Sequence, residues 1–187
     1  MWTRVIQSDD DTSCIFGVPT LGTGQELAAS MFTSGTEISA GKLALPIVRP
    51  GVIQPISMAM DIIPILTEKA ADVFTEELGD YVQLLACNPV DGKALWVANI
   101  LSVIDCLDRA HSKAEFYPPN YPLRHLANKV KIAFELVLDE SKALSHKVFR
   151  VKDDELKLII TTAFLDLLTV RGVTGLRVGN MPKYRAG

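Results

Sequence analysis

The sequence predicts an α+β protein in which a mixed or antiparallel sheet carries helices packed on one side. Three observations support this prediction: two segments with a helical apolar stripe, several short alternating segments separated by turns, and a loop-rich N-terminal part. The 187 residues are 48% apolar and 22% charged, which suits a chain that buries an ordinary core. We therefore expect one domain over residues 1–187, of which 1–45 are loop-rich.

The first elements are expected to be short. Residues 2–6 can form an opening strand, which the turn-forming residues 8–11 then end. Residues 13–51 hold many glycines and little periodicity, so we expect loops there. A short helix over residues 25–32 is the one regular element that we predict in this part, because its apolar residues fall on one face.

A clear helix and a hairpin follow. Thr67 is an N-cap residue, apolar side chains recur at three and four residues up to Leu78, and Gly79 suits the end of a helix. Residues 81–87 and 94–103 read as strands on either side of a turn-forming segment. We expect these two strands to pair as an antiparallel hairpin.

The last third alternates between strands and one helix. Residues 129–138 alternate apolar and polar side chains, which predicts a strand whose apolar face is buried. That predicted buried face consists of Val130, Ile132, Phe134 and Leu136. We predict further strands at 148–151, 156–160 and 175–178, with a helix over 162–171 that Gly172 stops.

Charge and cysteine content exclude some classes of function. The formal net charge of -3 argues against binding nucleic acid through phosphates, which needs a basic face, and leaves room for a basic protein partner. No apolar run approaches the roughly 20 residues of a membrane span, and no apolar segment of a secretory signal follows Met1. Cys14, Cys87 and Cys106 are widely spaced and form no C-x-x-C pair, which favours reduced thiols in a cytoplasmic protein. We expect no cofactor and no membrane partner.

Asp105, Asp108 and His111 form the one set that suggests chemistry. Their spacing of three residues brings two carboxylates and an imidazole close enough to hold a hard metal or to do acid–base work. Acids at this spacing also occur on solvated turns, where an aspartate caps the local backbone. A metal-dependent or small-ligand enzyme is therefore an alternative hypothesis, and a plain scaffold is a third.

Aromatic residues around a proline-rich segment suggest a partner surface. Phe116, Tyr117, Tyr121 and Arg124 are of the types that dominate protein interfaces, and the intervening prolines stiffen the loop. The other reading is that the tyrosines fold back onto the core. The acidic run Asp9, Asp10 and Asp11 could face a basic partner or form a solvated turn.

Several short motifs, in order, resemble an immunity protein family of bacterial polymorphic-toxin systems, namely family eleven. The resemblance spans about residues 46–180 and is carried by these segments: the D-I-I-P-I-L run at 61–66, the helix at 67–78, the N-I-L-S-V-I-D-C-L-D segment at 99–108, Glu115 with Phe116, and Gly172, Thr174, Gly175 and Leu176. Members of such families are inhibitors rather than enzymes.

The resemblance implies a cytoplasmic protein that neutralises one cognate antibacterial toxin delivered by type VI or contact-dependent secretion. Inhibition would occur by covering the toxin's active site or by blocking its active conformation. Nucleases are among the toxins that such families restrain, and their basic grooves would suit an acidic inhibitor. By this reading the partner-binding residues are Asp9, Asp10, Asp11, Phe116, Tyr117, Tyr121 and Arg124, without a metal or cofactor.

Overall fold

A computed structural model describes residues 2–7, 12–179 and 183–185, together with the side chains of most of them. The regular elements of this part of the chain follow in order, apart from short 3₁₀ turns. They are β1 (Trp2–Gln7), β2 (Ile15–Phe16), β3 (Thr20–Leu21), β4 (Leu43–Ala44), β5 (Ile47–Arg49), β6 (Ile56–Ala59), β7 (Ile63–Thr67), α1 (Glu68–Leu78), β8 (Val82–Ala86), β9 (Leu95–Ile100), β10 (Val103–Ile104), β11 (Lys113–Phe116), β12 (Val130–Glu135), β13 (Val137–Asp139), β14 (Val148–Val151), β15 (Asp154–Thr161), α2 (Thr162–Val170), β16 (Leu176–Val178) and β17 (Lys183–Arg185).

The larger sheet is built around the predicted hairpin. Its strand order is β5-β2-β6-β7-β9-β8, and all neighbours are antiparallel except β2 and β6. β8 and β9 pair from Val82 opposite Ile100 to Ala86 opposite Trp96, which confirms the hairpin. β7 covers the other edge of β9, so the hairpin is part of the core.

A second sheet gathers the two ends of the chain. Its order is β10-β14-β15-β1-β16, so the N-terminal strand lies between two strands from the C-terminal third. In the described residues, the pairs β3–β4, β11–β12 and β13–β17 form three further two-stranded sheets. The α+β class is confirmed, whereas the prediction of one sheet is wrong because distant strands pair in separate groups.

The two helices begin and end as the sequence predicts and share one core. Thr67 and Thr161 take the extended conformation of a helix N-cap, and Gly79 follows α1 at a positive φ of 51°. The rings of Phe74 and Phe164 meet edge-on, with their centroids 5.5 Å apart. The helices therefore pack within one apolar cluster, but with several sheets present they are not clearly packed on one side. Neither described helix is long and apolar enough to cross a membrane.

The predicted helix at residues 25–32 is largely absent. Only Ala29–Phe32 turn, as a 3₁₀ helix. The backbone before it is engaged elsewhere, because Leu21 N–H donates to the carbonyl of Gln25 and Leu27 N–H donates to that of Pro19. These bonds hold residues 25–27 beside residues 19–21, and the intrahelical bonds cannot form.

Arg150 and Gly175 are among the described residues that connect the two sheets. The buried guanidinium of Arg150, on β14, donates to the carbonyls of Ile62 at 2.8 Å and Glu155 at 2.9 Å. Gly175 lies so close to β6 that a Cβ there would stand 1.9 Å from the carbonyl oxygen of Ile56. Only glycine fits this approach, since its φ of +111° is also unfavourable for other residues.

The predicted burial of the apolar face at residues 129–138 is correct for Leu136 and, in part, for Val130, but it is wrong for the other two residues of that face. Ile132 and Phe134 are exposed, and the strand ends at Glu135. Two β-bulges explain the difference: Glu115 pairs with Ile132 but Phe116 with Val130, and a second register shift lies at Phe134. Each bulge adds one residue, which inverts the alternation and turns the next side chains to the opposite face.

Candidate partner-binding surface

The strands β11 and β12 and the loop between them form a unit that we call the ribbon–loop (residues 113–135). The pairing continues beyond the strands, because Tyr117 N–H donates to the carbonyl of Lys129 at 2.9 Å and Asn128 N–H donates to that of Tyr117 at 3.2 Å. The loop is thus closed at its base, and its residues project together from the end of the ribbon.

Backbone hydrogen bonds and prolines order the loop. Tyr121 N–H donates to the carbonyl of Pro118 at 3.0 Å, and Leu126 N–H donates to that of Leu123 at 2.8 Å. A single 3₁₀ turn covers Arg124–Leu126. Because these turns and the fixed φ of the prolines restrict the free loop, less conformational entropy is lost when it binds a partner.

Three of the four predicted aromatic and arginine residues come together on this loop. The rings of Tyr117 and Tyr121 stack at 4.6 Å between centroids with a tilt of 44°, and both are half-buried. The exposed Arg124 shares an open hollow with Tyr121. Phe116 faces the other way and packs against the core cluster around Phe149, so it supports the surface rather than forming it.

Arg109 fixes the ribbon–loop to the body of the protein. Its guanidinium carbon lies 4.4 Å from the centroid of the Phe116 ring, a cation–π contact. The same side chain donates to the carbonyl of Asn128 and pairs with the carboxylate of Asp153 at 2.7 Å. One residue therefore ties the ribbon, the end of its loop and the β14–β15 turn together.

The outer face of the ribbon carries apolar side chains that the alternation in the sequence predicts to be buried. Phe134 is 74% exposed and Ile132 is 43% exposed. The inner face contributes the contacts with the core, through Ala114, Phe116, Val130 and Ala133. The alternation in the sequence marked these residues, but the bulges that reverse their direction leave no clear signal in it.

The ribbon–loop is basic within an acidic chain. It contains Lys113, Arg124, Lys129 and Lys131 against the carboxylates Glu115 and Glu135, whereas the whole chain has a net charge of -3. Lys129 pairs with Glu155 at 2.9 Å, and Lys131 lies 3.6 Å from Glu115. Among the described residues, Lys113 and Arg124 take part in no ion pair.

Asp105, Asp108 and His111 do not form one site. The carboxylate of Asp105 pairs with Lys152 at 3.0 Å, and this hydrogen bond lowers the pKa of Asp105. Asp108 accepts hydrogen bonds from the backbone N–H groups of Ala110 and His111, and its second oxygen lies 2.8 Å from His111 Nδ1. Asp108 therefore caps the local backbone, which is the alternative to a metal-binding or acid–base role. In the described part of the chain, no three His, Cys, Asp or Glu residues are grouped to hold a metal ion.

The remaining predicted residues lie elsewhere. Asp9, Asp10 and Asp11 fall outside the described residues. Cys14, Cys87 and Cys106 are buried thiols, as the sequence predicts. Burial raises the pKa of Cys87 and of Cys106 to about 12, which keeps both as unreactive thiols.

Comparison with protein families gives one match. The model of an immunity protein family (Imm11) matches residues 85–183, more than half of the 187-residue chain. The matched segment begins within β8 and includes the entire ribbon–loop. No curated protein matches the chain.

Proposed function

The chain belongs to the Imm11 immunity protein family, and from this premise we propose that it binds and neutralises one cognate antibacterial toxin. The chain acts by binding and carries out no reaction of its own. The toxin arrives by type VI or contact-dependent secretion and is met in the cytoplasm. Family membership is the single observation that carries this proposal.

The ribbon–loop is the proposed contact surface. It lies wholly within the matched segment, and its loop is ordered before binding. Tyr117, Tyr121 and Arg124 present aromatic area and a guanidinium, the groups that most often dominate binding energy. Phe116 supports them from below through its contact with Arg109. An inhibitor of this kind needs an interface of about 1,600 Å² in total.

Inhibition would follow from where the toxin binds on this protein. A toxin that binds the ribbon–loop would have its active site covered by the bulk of the protein or would be held away from its active conformation. We include nucleases among the proposed targets. In that case the acidic segment Asp9, Asp10 and Asp11 would lie against the basic groove that holds nucleic acid.

A protection assay tests the function. A toxin domain recovered in a pull-down with the tagged chain is expressed in a sensitive bacterium with and without the chain, and growth and the binding of the purified proteins are measured. We expect growth to be restored and a one-to-one complex to form. Growth arrest that persists despite full expression of the chain would contradict the proposal.

The loop is tested in the same assay with Tyr121→Ala. Its control is Tyr81→Ala, because the ring of Tyr81 also contacts another ring, that of His146 at 5.2 Å between centroids, and Tyr81 lies outside the ribbon–loop. Tyr81 is 50% exposed and thus more accessible than the half-buried Tyr121. We expect the first variant to weaken binding and the second to leave it unchanged. Equal binding by both variants would place the contact elsewhere. Cleavage of DNA or RNA by the free toxin, stopped by the chain, would identify a nuclease.

A further inference from the structure

The outer face of the β11–β12 ribbon has a composition that folding does not explain. Phe134 and Ile132 lie on the same exposed face, and Leu123, on the loop, is 52% exposed. The opposite face of the ribbon packs against the core cluster around Phe149. The apolar outer residues therefore add nothing to that core. Neighbouring exposed apolar side chains of this size mark sites of interaction.

The β-bulge at Lys131 is what places Ile132 and Phe134 outside. Without the extra residue at Lys131, the alternation that buries Val130 would also bury Ile132 and Phe134. Bulges of this kind re-aim side chains and are frequent beside functional sites. The backbone thus departs from regular pairing at the positions that expose the two large apolar residues.

The charges around this face indicate the chemistry of what it meets. Lys113 is exposed at the start of β11, and Arg124 is exposed on the loop. Lys131 is 3.6 Å from Glu115, which is a long and exposed pair. Glu115 lies opposite Ile132 and Glu135 opposite Lys113 in the strand pairing, but within residues 113–135 four Lys and Arg residues outnumber these two carboxylates. A complementary surface therefore has an apolar pocket and an excess of carboxylates at its rim.

We propose that this face anchors the toxin, with Phe134 and Ile132 entering an apolar pocket whose acidic rim meets Lys113, Lys131 and Arg124. The inference rests on the proposed function and specifies the partner surface that the ribbon–loop recognises. The proposal also implies that the ribbon face does not contact the basic groove of a nuclease, because two surfaces with an excess of positive charge repel each other. The ribbon then binds beside such a groove, and inhibition comes from the rest of the chain that it brings into place.

The test is a calorimetric titration of the purified toxin domain with the full chain and with the double variant Phe134→Ser, Ile132→Ser. Truncating central apolar anchors is expected to weaken binding by at least about 30-fold. The matched control is Val170→Ser, which changes an 83% exposed apolar residue at the end of α2. The control should bind as tightly as the unaltered chain. All three proteins should unfold at the same temperature, since the changed side chains are exposed.

A separate measurement of association rates tests whether the rim of the partner's pocket is acidic. Lys113→Glu should slow association several-fold at low salt, and the difference should shrink as the ionic strength rises. Faster association, or a rate that is the same as that of the unaltered chain at every salt concentration, would overturn the assignment of an acidic rim.

The outcomes separate the two proposals. If the unaltered chain binds the toxin and the double variant binds equally well, the anchor is wrong and the immunity function stands. If the unaltered chain does not bind the toxin at all, the proposed function fails and the anchor fails with it. If the free chain forms a dimer that only the double variant disrupts, the face belongs to a second copy and the assignment to the toxin is overturned.

Discussion

Two antiparallel strand pairs in this protein, the apolar β8–β9 hairpin and the more highly charged β11–β12 ribbon, have opposite surroundings. In the β8–β9 hairpin, Val97, Ala98, Asn99 and Ile100 are all buried, because β7 pairs along one edge of β9 and side chains cover both faces. The β11–β12 ribbon pairs with no third strand in the described residues and has one covered face. An apolar residue on a strand is therefore part of the core in one pair and part of the surface in the other.

The difference also appears in how each pair is held. In the hairpin, Gln83 exchanges hydrogen bonds with the backbone of Ile38, and Asn99 donates to Gln83 and to the carbonyl of Thr36. These buried amides attach a neighbouring loop to the sheet. The ribbon depends instead on the partly exposed Arg109 at its base. The hairpin is thus built for stability, and the ribbon is positioned by a few polar contacts that leave its outer face available.

The largest expected effect compares equivalent truncations in the two pairs. Ile100→Ala removes a fully buried side chain and should lower the free energy of unfolding by about 2–5 kcal/mol. Phe134→Ala removes a larger side chain but should change it by no more than about 0.5 kcal/mol, because little of that side chain is buried. Urea unfolding monitored by circular dichroism measures both. A loss at Phe134 comparable to that at Ile100 would show that the outer face is part of the core.

A smaller effect is expected at the base of the ribbon. Arg109→Ala removes the cation–π contact with Phe116 and the bonds to Asn128 and Asp153, which together should lower the free energy of unfolding by about 1 kcal/mol. Hydrogen exchange should become faster at the amides of Tyr117 and Asn128, whose hydrogen bonds close the loop.

The control for Arg109 is Lys152→Ala. Lys152 makes one exposed ion pair, with Asp105, and such pairs contribute little to stability. Exchange at Tyr117 and Asn128 should be the same in this variant as in the unaltered chain. Equal exchange in the Arg109 variant as well would mean that Arg109 does not order the ribbon.

The smallest expected effect is a pH dependence of stability that comes from His146, whose ring lies beside Tyr81. Burial lowers the pKa of His146, which lies 3.2 Å from Ser102 Oγ and contacts the ring of Tyr81. The folded state therefore disfavours the protonated form. Because the unfolded chain takes up the proton first, this residue should reduce stability as the pH falls through 6.5, the ordinary pKa of histidine, towards the lower pKa of the folded state.

His146→Gln isolates this contribution. The difference in unfolding temperature between the unaltered chain and this variant should be constant above neutral pH and should change in favour of the variant below pH 6.5, the ordinary pKa of histidine. A constant difference at all pH values would mean that His146 titrates alike in the folded and unfolded states.

Local patterns in the sequence predict much of this fold. The hairpin, both α-helices and the strands β14, β15 and β16 follow from caps, alternation and glycines, all of which act over a few residues. The grouping of strands does not, since β1 pairs with β15 and β16 across most of the chain. The helix expected at residues 25–32 fails for the same reason, as the backbone of Gln25 and Leu27 bonds to residues earlier in the chain.

The residues of the candidate site also divide into those that the sequence predicts and those whose position depends on strand pairing. The types of Tyr117, Tyr121 and Arg124 and the neighbouring prolines predict a binding loop, and these three residues do lie together. Phe116 was included by its type, but the pairing of β11 turns it inward. Phe134 and Ile132 were assigned to the core, since a regular strand would bury them and a bulge depends on the partner strand.

Hydrogen exchange of the chain, free and bound to the toxin domain, tests the central claim most directly. The account predicts slower exchange on binding throughout residues 113–135, with no change at the solvent-facing residues of α1. Protection confined to α1 or to the β8–β9 hairpin, with an unchanged ribbon–loop, would contradict it.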